Sequence, residues 1–201
     1  MVKLPLAITC GDPAGIGIEV FLAAHKEIGR EIPMVLFADR KHLPNNLDYT
    51  LWTPEIPTNF DTGIALYQIN FDNIAVPGQA DPQNTAGVIR AIEQACHLAQ
   101  KGQMAGLCTA PIHKANLQDG TNFKFGGHTE FLAHLCGVNK VVMMLTCPTL
   151  SVVPLTIHIP ISDVPQAITR KLFRTTIQII HDGLQNDFGI KNPRICVAGL
   201  N

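Results

Sequence analysis

Apolar runs of strand length alternate with amphipathic stretches along this chain, and that alternation limits its fold more than any other feature. Leu6–Thr9, Met34–Ala38, Ala105–Thr109, Val141–Thr146, Leu150–His158 and Arg194–Ala198 read as strands. Between them the apolar spacing becomes helical. One helix is predicted to start near Pro82 to Thr85 and to end before Gly102, with Val88, Ile92, Ala95, Cys96 and Ala99 on one face. Another runs from Arg170 to Phe188, with Phe173, Ile177, Ile180, Leu184 and Phe188 as its buried stripe and Gly189 as its stop. The succession is that of an α/β fold. From Pro44 to Gln79 the pattern is less regular, and it reads as a connection or a small strand pair at a sheet edge.

With 201 residues, 46% of them hydrophobic, the chain can bury a substantial core. Fifteen basic and 16 acidic residues give a formal charge of −1, no electrostatic footprint for nucleic acid or an anionic membrane. Small-molecule partners are therefore expected. No apolar stretch approaches the ~20 residues that span a bilayer, and Met1-Val2-Lys3 leads straight into a strand-like run without a signal-type segment. The six cysteines are widely spaced, form no Cys-x-x-Cys pair and lie mostly in apolar runs, which predicts buried reduced thiols in a cytoplasmic protein. A stop at Asn201, directly after a strand-like run, suggests truncation.

Three segments carry candidate chemistry. In Gly126-Gly127-His128-Thr129-Glu130-Phe131 an imidazole and a hydroxyl stand where loop becomes helix, with His128 or Thr129 at the cap position and Leu132, Leu135 and Cys136 following at helical spacing. Free backbone N–H groups and two side chains then converge on a point suited to an anion. A capped helix with a solvent-facing histidine also accounts for the block.

Thr109-Ala110-Pro111-Ile112-His113-Lys114 leaves a strand and enters a helix, placing a cation where open sheets collect ligands. Lys114 could hold a carboxylate or phosphate or assist proton transfer, and a plain helix-surface lysine fits equally well. Gly11-Asp12-Pro13-Ala14-Gly15-Ile16-Gly17 also joins strand to helix. It lacks the third glycine of G-x-G-x-x-G and any Walker Lys-Ser/Thr, so a tight turn capped by Asp12 explains it on the residues alone. His158 lies in an apolar run between Pro154 and Pro160, where a core or strand-end histidine is the ordinary explanation. One histidine does not make a metal site.

Taken together, TCGDPAGIGIEV (Thr9 to Val20), TAPIHKANL (Thr109 to Leu117), GGHTEF (Gly126 to Phe131) and TIHIP (Thr156 to Pro160) resemble, in order and separation, the 4-hydroxythreonine-4-phosphate dehydrogenase family of pyridoxine biosynthesis. Ile18 departs from the family pattern, which usually has Pro there. The resemblance implies a three-layer αβα fold similar to the isocitrate and isopropylmalate dehydrogenases, two lobes with a cleft, the second incomplete here. Residues 1–201 would then be the N-terminal part of the enzyme, with a lobe boundary that composition does not reveal.

The same resemblance implies NAD- or NADP-dependent oxidation of 4-phosphohydroxy-L-threonine, followed by decarboxylation to 3-amino-2-oxopropyl phosphate. Related enzymes act on phosphothreonate or phosphoerythronate, and an inactive metabolite-binding remnant is a further alternative. His128 and Thr129 match the family's substrate-binding pair, and Lys114 gains weight as a catalytic group. Asp12, Gly15 and Gly17 fall in a loop that lines the cleft. His158 matches one of three histidines that bind a divalent ion, zinc, magnesium or cobalt, at the interface of a homodimer. Cofactor-binding residues are not assigned by these blocks, and this chain by itself is expected to be inactive.

Overall fold

Leu6–Thr9 (β1) and Met34–Ala38 (β2) become the middle of a sheet in the computed structural model, which describes residues 4–55, 60 and 63–200. Met1-Val2-Lys3 and Asn201, the two ends of the sequence, lie outside the described residues. The chain divides into two compact units, Met1–Gly137 and Val138–Asn201.

In the first unit β1 is followed by α1 (Gly17–Ile28), β2, β3 (Tyr49–Leu51), β4 (Ile64–Gln68), α2 (Thr85–Gln100), β5 (Gly106–Thr109), α3 (Lys114–Gly120) and α4 (His128–Leu135). The five strands lie in the order β3-β4-β2-β1-β5, and every pairing is parallel. Each residue of β2 is buried, as a continuous apolar run predicts for a strand covered on both faces. The irregular stretch after Pro44 does supply a strand pair at the edge, β3 beside β4.

Helix α2 turns Val88, Ala91, Ile92, Ala95, Cys96 and Leu98 inward and packs on β1, β2 and β5. Helix α4 is held by Phe131, which is buried and meets Phe123 and Phe125 with ring centroids 5.2 Å away in each case. The parallel sheet with flanking helices is the α/β architecture anticipated from the alternation.

β1 has β2 on one side and β5 on the other, so the strand order reverses there. Open parallel sheets bind ligands at such a switch point, beyond the carboxyl ends of the strands. Thr9 pairs with Thr109 at the last position of β1 and β5, which brings the Gly11–Gly17 loop and the Ala110–Lys114 loop side by side.

The second unit contains the antiparallel pair β6 (Leu145–Cys147) and β7 (Leu150–Val152), a single-turn α5 (Val164–Ala167) and α6 (Arg170–Asn186). This unit departs from the strands expected of it. Leu150–His158 is a strand only as far as Val152, because Pro154 removes a ladder donor and no neighbouring strand continues the pairing among the described residues. Val141–Thr146 shortens to its last residues, and Arg194–Ala198 forms no ladder. In α6 the predicted stripe of Phe173, Ile177, Ile180 and Leu184 is half buried, Phe188 is exposed, and Thr176 alone is buried. Only Cys10 and Cys96 are buried among the six free thiols; Cys108, Cys136, Cys147 and Cys196 are exposed, so apolar neighbours in sequence did not guarantee burial.

Candidate functional site

The two strand-end loops fit together through missing side chains. Gly11, at φ +69°, donates no Cβ to a space where one would stand 2.2 Å from the Pro111 carbonyl oxygen. At Gly17 a Cβ would meet the Cys10 carbonyl oxygen at 2.1 Å and Ala110 Cβ at 2.7 Å. The Asp12 N–H donates to the Pro111 carbonyl at 3.0 Å, and the Ala110 N–H to that of Thr9 at 3.2 Å. Asp12 Oδ1 accepts from the Ala14 N–H at 2.9 Å, closing the turn. Asp12 and Gly17 therefore serve the seam between the loops, whereas Gly15 borders a small pocket with Glu19, Lys41 and His42.

The second loop delivers Lys114. His113 caps α3, its Nδ1 accepting from the Asn116 N–H at 3.1 Å, so that Lys114 becomes the first residue of the helix. Leu117 and Asn116 anchor this short helix by burial. Gly120 approaches Pro82 and Thr85 so closely that a Cβ would lie 2.1 Å from the Pro82 carbonyl oxygen. The start of α3 is thereby fixed, and the Lys114 side chain extends from it.

Lys114 reaches the start of α4. Its Cε and Nζ lie 3.4 and 3.5 Å from the position a Cβ of Gly127 would occupy. Gly127, not His128 or Thr129, is the N-cap of α4, with φ 169° and no side-chain cap. His128 and Thr129 are the first helical residues, and no side chain among the described residues caps the first-turn N–H groups. Both are half buried. Adjacent glycines, histidine and threonine all suit helix starts, which is why the sequence could not place the cap to the residue.

The His128 imidazole sits below its ordinary pKa, first because burial disfavours its charged form and second because of the Lys114 ammonium. Its Nε2 is enclosed without a hydrogen-bond partner among the described residues. An unsatisfied buried nitrogen costs on the order of 1–3 kcal/mol, a cost that a hydrogen bond to a ligand would offset. Lys114 forms no ion pair among the described residues. Glu130 leans back over Gly126, its Oε2 3.5 Å from that residue's absent Cβ, at the third helical position where an acid favours the helix dipole.

One cation, a neutral imidazole, the Glu130 carboxylate and uncapped N–H groups thus meet at one corner of the first unit, with Thr129 the second residue of the helix. That set can bind an anionic, hydroxyl- or amine-bearing small molecule with both donors and an acceptor. Lys114 is exposed and lies against the start of a second helix.

His158 belongs to the second unit. It is exposed and adopts φ 58°, the sole non-glycine residue with positive φ among those described. A packed core histidine is therefore excluded. No group of three or more His, Cys, Asp or Glu side chains able to hold a metal occurs among the described residues. His158 offers one donor, and the described residues do not complete a site around it.

The sequence did not single out His42. Its Nε2 lies 3.0 Å from the Asn73 carbonyl, its Nδ1 is enclosed without a partner, and it borders the pocket beside Gly15. It also missed the approach of Cys96 to Cys136, two residues with no local motif between them. Only a three-dimensional contact could reveal either.

Comparison with known proteins follows the same line. Residues 30–201 match the family model described as pyridoxal phosphate biosynthetic protein PdxA. A 4-hydroxythreonine-4-phosphate dehydrogenase of Ruegeria sp. (strain TM1040) is 43% identical over 202 residues, covering 98% of this chain and 61% of the relative. One from Roseobacter denitrificans is 46% identical over 200 residues with the same coverage. The crystal structure of a 4-hydroxythreonine-4-phosphate dehydrogenase from Burkholderia phymatum superposes with a TM-score of 0.86 at 31% identity, over 100% of this chain and 64% of that one. The chain thus spans about three fifths of the length of the curated relatives it matches. No helix among the described residues is long and apolar enough to cross a membrane.

Proposed function

The chain belongs to the pyridoxal phosphate biosynthetic protein PdxA family, and from that membership we propose that the protein carrying it oxidises 4-phosphohydroxy-L-threonine. The product is a β-keto acid that decarboxylates to 3-amino-2-oxopropyl phosphate, a step in making vitamin B6. The observation that carries the reading is the convergence of Lys114 on His128 at the uncapped start of α4. Such a corner accepts the charged and hydroxylated end of a small phosphorylated amino acid.

Oxidation of a secondary alcohol takes a hydride from carbon and a proton from oxygen. When bound, NAD or NADP supplies the hydride acceptor, and a divalent zinc, magnesium or cobalt ion supplies positive charge beside the reacting oxygen. His128, neutral because it is half buried beside a cation, can donate to or accept from the substrate at Nε2. Thr129 adds a hydroxyl, and the two together orient the amino-acid end. In this reading Lys114 balances the substrate carboxylate and assists proton movement.

His158 is the residue of this chain that would ligate the ion. Its outward, left-handed conformation leaves the ring free, and the remaining ligands come from outside the described residues. The proposal extends to a cytoplasmic homodimer with its active site at the interface, for which the support is the resemblance of the four ordered blocks.

The test is an assay of the protein carrying this chain against 4-phosphohydroxy-L-threonine, phosphothreonate and phosphoerythronate, with each nicotinamide cofactor and each of the three ions. Turnover is expected to be highest with 4-phosphohydroxy-L-threonine. Preference for another acid would replace the substrate, and turnover of none would leave a metabolite-binding module.

A further inference from the structure

Cys96 and Cys136 are 40 residues apart in the chain, yet their sulfurs lie 3.8 Å from each other. Cys96 is buried on the inward face of α2. Cys136 is exposed and forms the C-cap of α4, whose first residue is His128. Gly137, the next residue, has φ 66° and ends the first unit, so the backbone carrying Cys136 leaves the helix at a turn. No other pair of thiols among the described residues is in contact.

We propose that Cys96 and Cys136 are an oxidisable pair, a modification site at which hydrogen peroxide closes a disulfide between α2 and α4. A disulfide needs its sulfurs about 2.0 Å apart, so the two must approach by less than the width of one atom. The exposed end of α4 is the part free to yield. The pair differs from the other exposed cysteines, Cys108, Cys147 and Cys196, none of which has a thiol neighbour to complete a bridge among the described residues.

The order of events follows from exposure. Burial, together with the neighbouring Cys136 thiol, pushes the Cys96 thiol up to about 11, which keeps it protonated and slow to react first. The Cys136 sulfur, as thiolate, attacks one oxygen of hydrogen peroxide, breaking the O–O bond and leaving a sulfenic acid and hydroxide. The Cys96 sulfur then attacks the Cys136 sulfur, forming the S–S bond and breaking the S–O bond. The thiol proton leaves with the departing oxygen as water. Two thiols lose two electrons and two protons in all, and one peroxide becomes two waters. The consequence is a covalent tie holding the far end of the helix that begins with His128 to the sheet-packed helix α2.

The measurement uses the chain with Cys108→Ser, Cys147→Ser and Cys196→Ser, which removes the other exposed thiols and leaves the pair. After peroxide treatment, intact mass is expected to fall by about 2 Da as two thiol hydrogens are lost. Digestion should give a linked peptide joining Cys96 to Cys136, reversed by dithiothreitol. The same protein with Cys136→Ser, or with Cys96→Ala should the first variant misfold, should lose the linked peptide. Oxidation of Cys136 to sulfinic acid with Cys96 still reduced, or a bridge between two chains in place of the internal one, would overturn the proposal.

Discussion

Lys114 stands at the first position of α3 and His128 at the first position of α4, and the ammonium of one helps to keep the imidazole of the other uncharged. Two helix starts from separate loops thus share one corner, a relation that neither sequence block reveals by itself. The corner is neither purely cationic nor purely neutral, which suits a substrate that carries an amine, a hydroxyl and a carboxylate together.

Removing the Lys114 charge should therefore raise the His128 pKa. In an NMR titration the His128 ring of the unaltered chain should titrate below 6.5, and in Lys114→Met it should move upward while staying below 6.5, since burial remains. As pH falls the unfolded chain takes up the proton first, so this group's contribution to stability is complete above the unfolded pKa and declines as pH falls through it. An unchanged His128 titration in Lys114→Met would remove Lys114 from the site.

Gly17→Ala should damage the seam between the strand-end loops. The new methyl would stand 2.1 Å from the Cys10 carbonyl oxygen and 2.7 Å from Ala110 Cβ, so backbone must move. A loss of about 1–3 kcal/mol, the usual cost of overpacking, is expected in urea denaturation, together with weaker ligand binding at Lys114. Stability equal to that of the unaltered chain would show that the seam yields without cost.

Asp39 provides an independent check on the first unit. Burial pushes its carboxyl up, but the Phe71 and Lys41 N–H groups, at 2.9 and 3.1 Å, with Gln68 and the Lys41 charge, bring the balance below the ordinary value. Its stabilisation is present above the unfolded carboxyl pKa and is lost as pH falls through the lower folded one. Asp39→Ala should cost about 1–3 kcal/mol by leaving those N–H groups unpaired, and its effect should shrink in acid. A pH-independent difference between the two proteins would contradict this assignment.

The first unit was legible because its strands are buried by their own neighbours. β1 and β2 have the boundaries that their apolar runs suggested, and α2 presents Val88, Ile92, Ala95 and Cys96 inward as the helical spacing requires. Leu150–His158 and Arg194–Ala198 have the same apolar character, yet strand structure depends on a partner that no local pattern specifies. The chemistry divided in the same way. Residue types at 114, 128, 129 and 158 were readable, whereas the Gly127 cap, the contact of Lys114 with it and the left-handed backbone of His158 were set by tertiary structure.

That backbone supplies another prediction. A β-carbon at φ 58° costs on the order of 1–2 kcal/mol, and positions that keep such a cost cluster at functional sites. His158→Gly should therefore gain about 1 kcal/mol of stability in thermal unfolding while lowering the divalent-ion affinity of the protein carrying the chain. Unchanged ion affinity would show that the ring is not a ligand.

The central claim is that the corner formed by Lys114 and His128 binds the substrate, and titration calorimetry with 4-phosphohydroxy-L-threonine tests it most directly. Measured binding should weaken at least about tenfold, some 1.4 kcal/mol, in His128→Ala and again in Lys114→Met, with the folded state of each confirmed by its denaturation curve. Affinity equal to that of the unaltered chain in both folded variants would contradict the account.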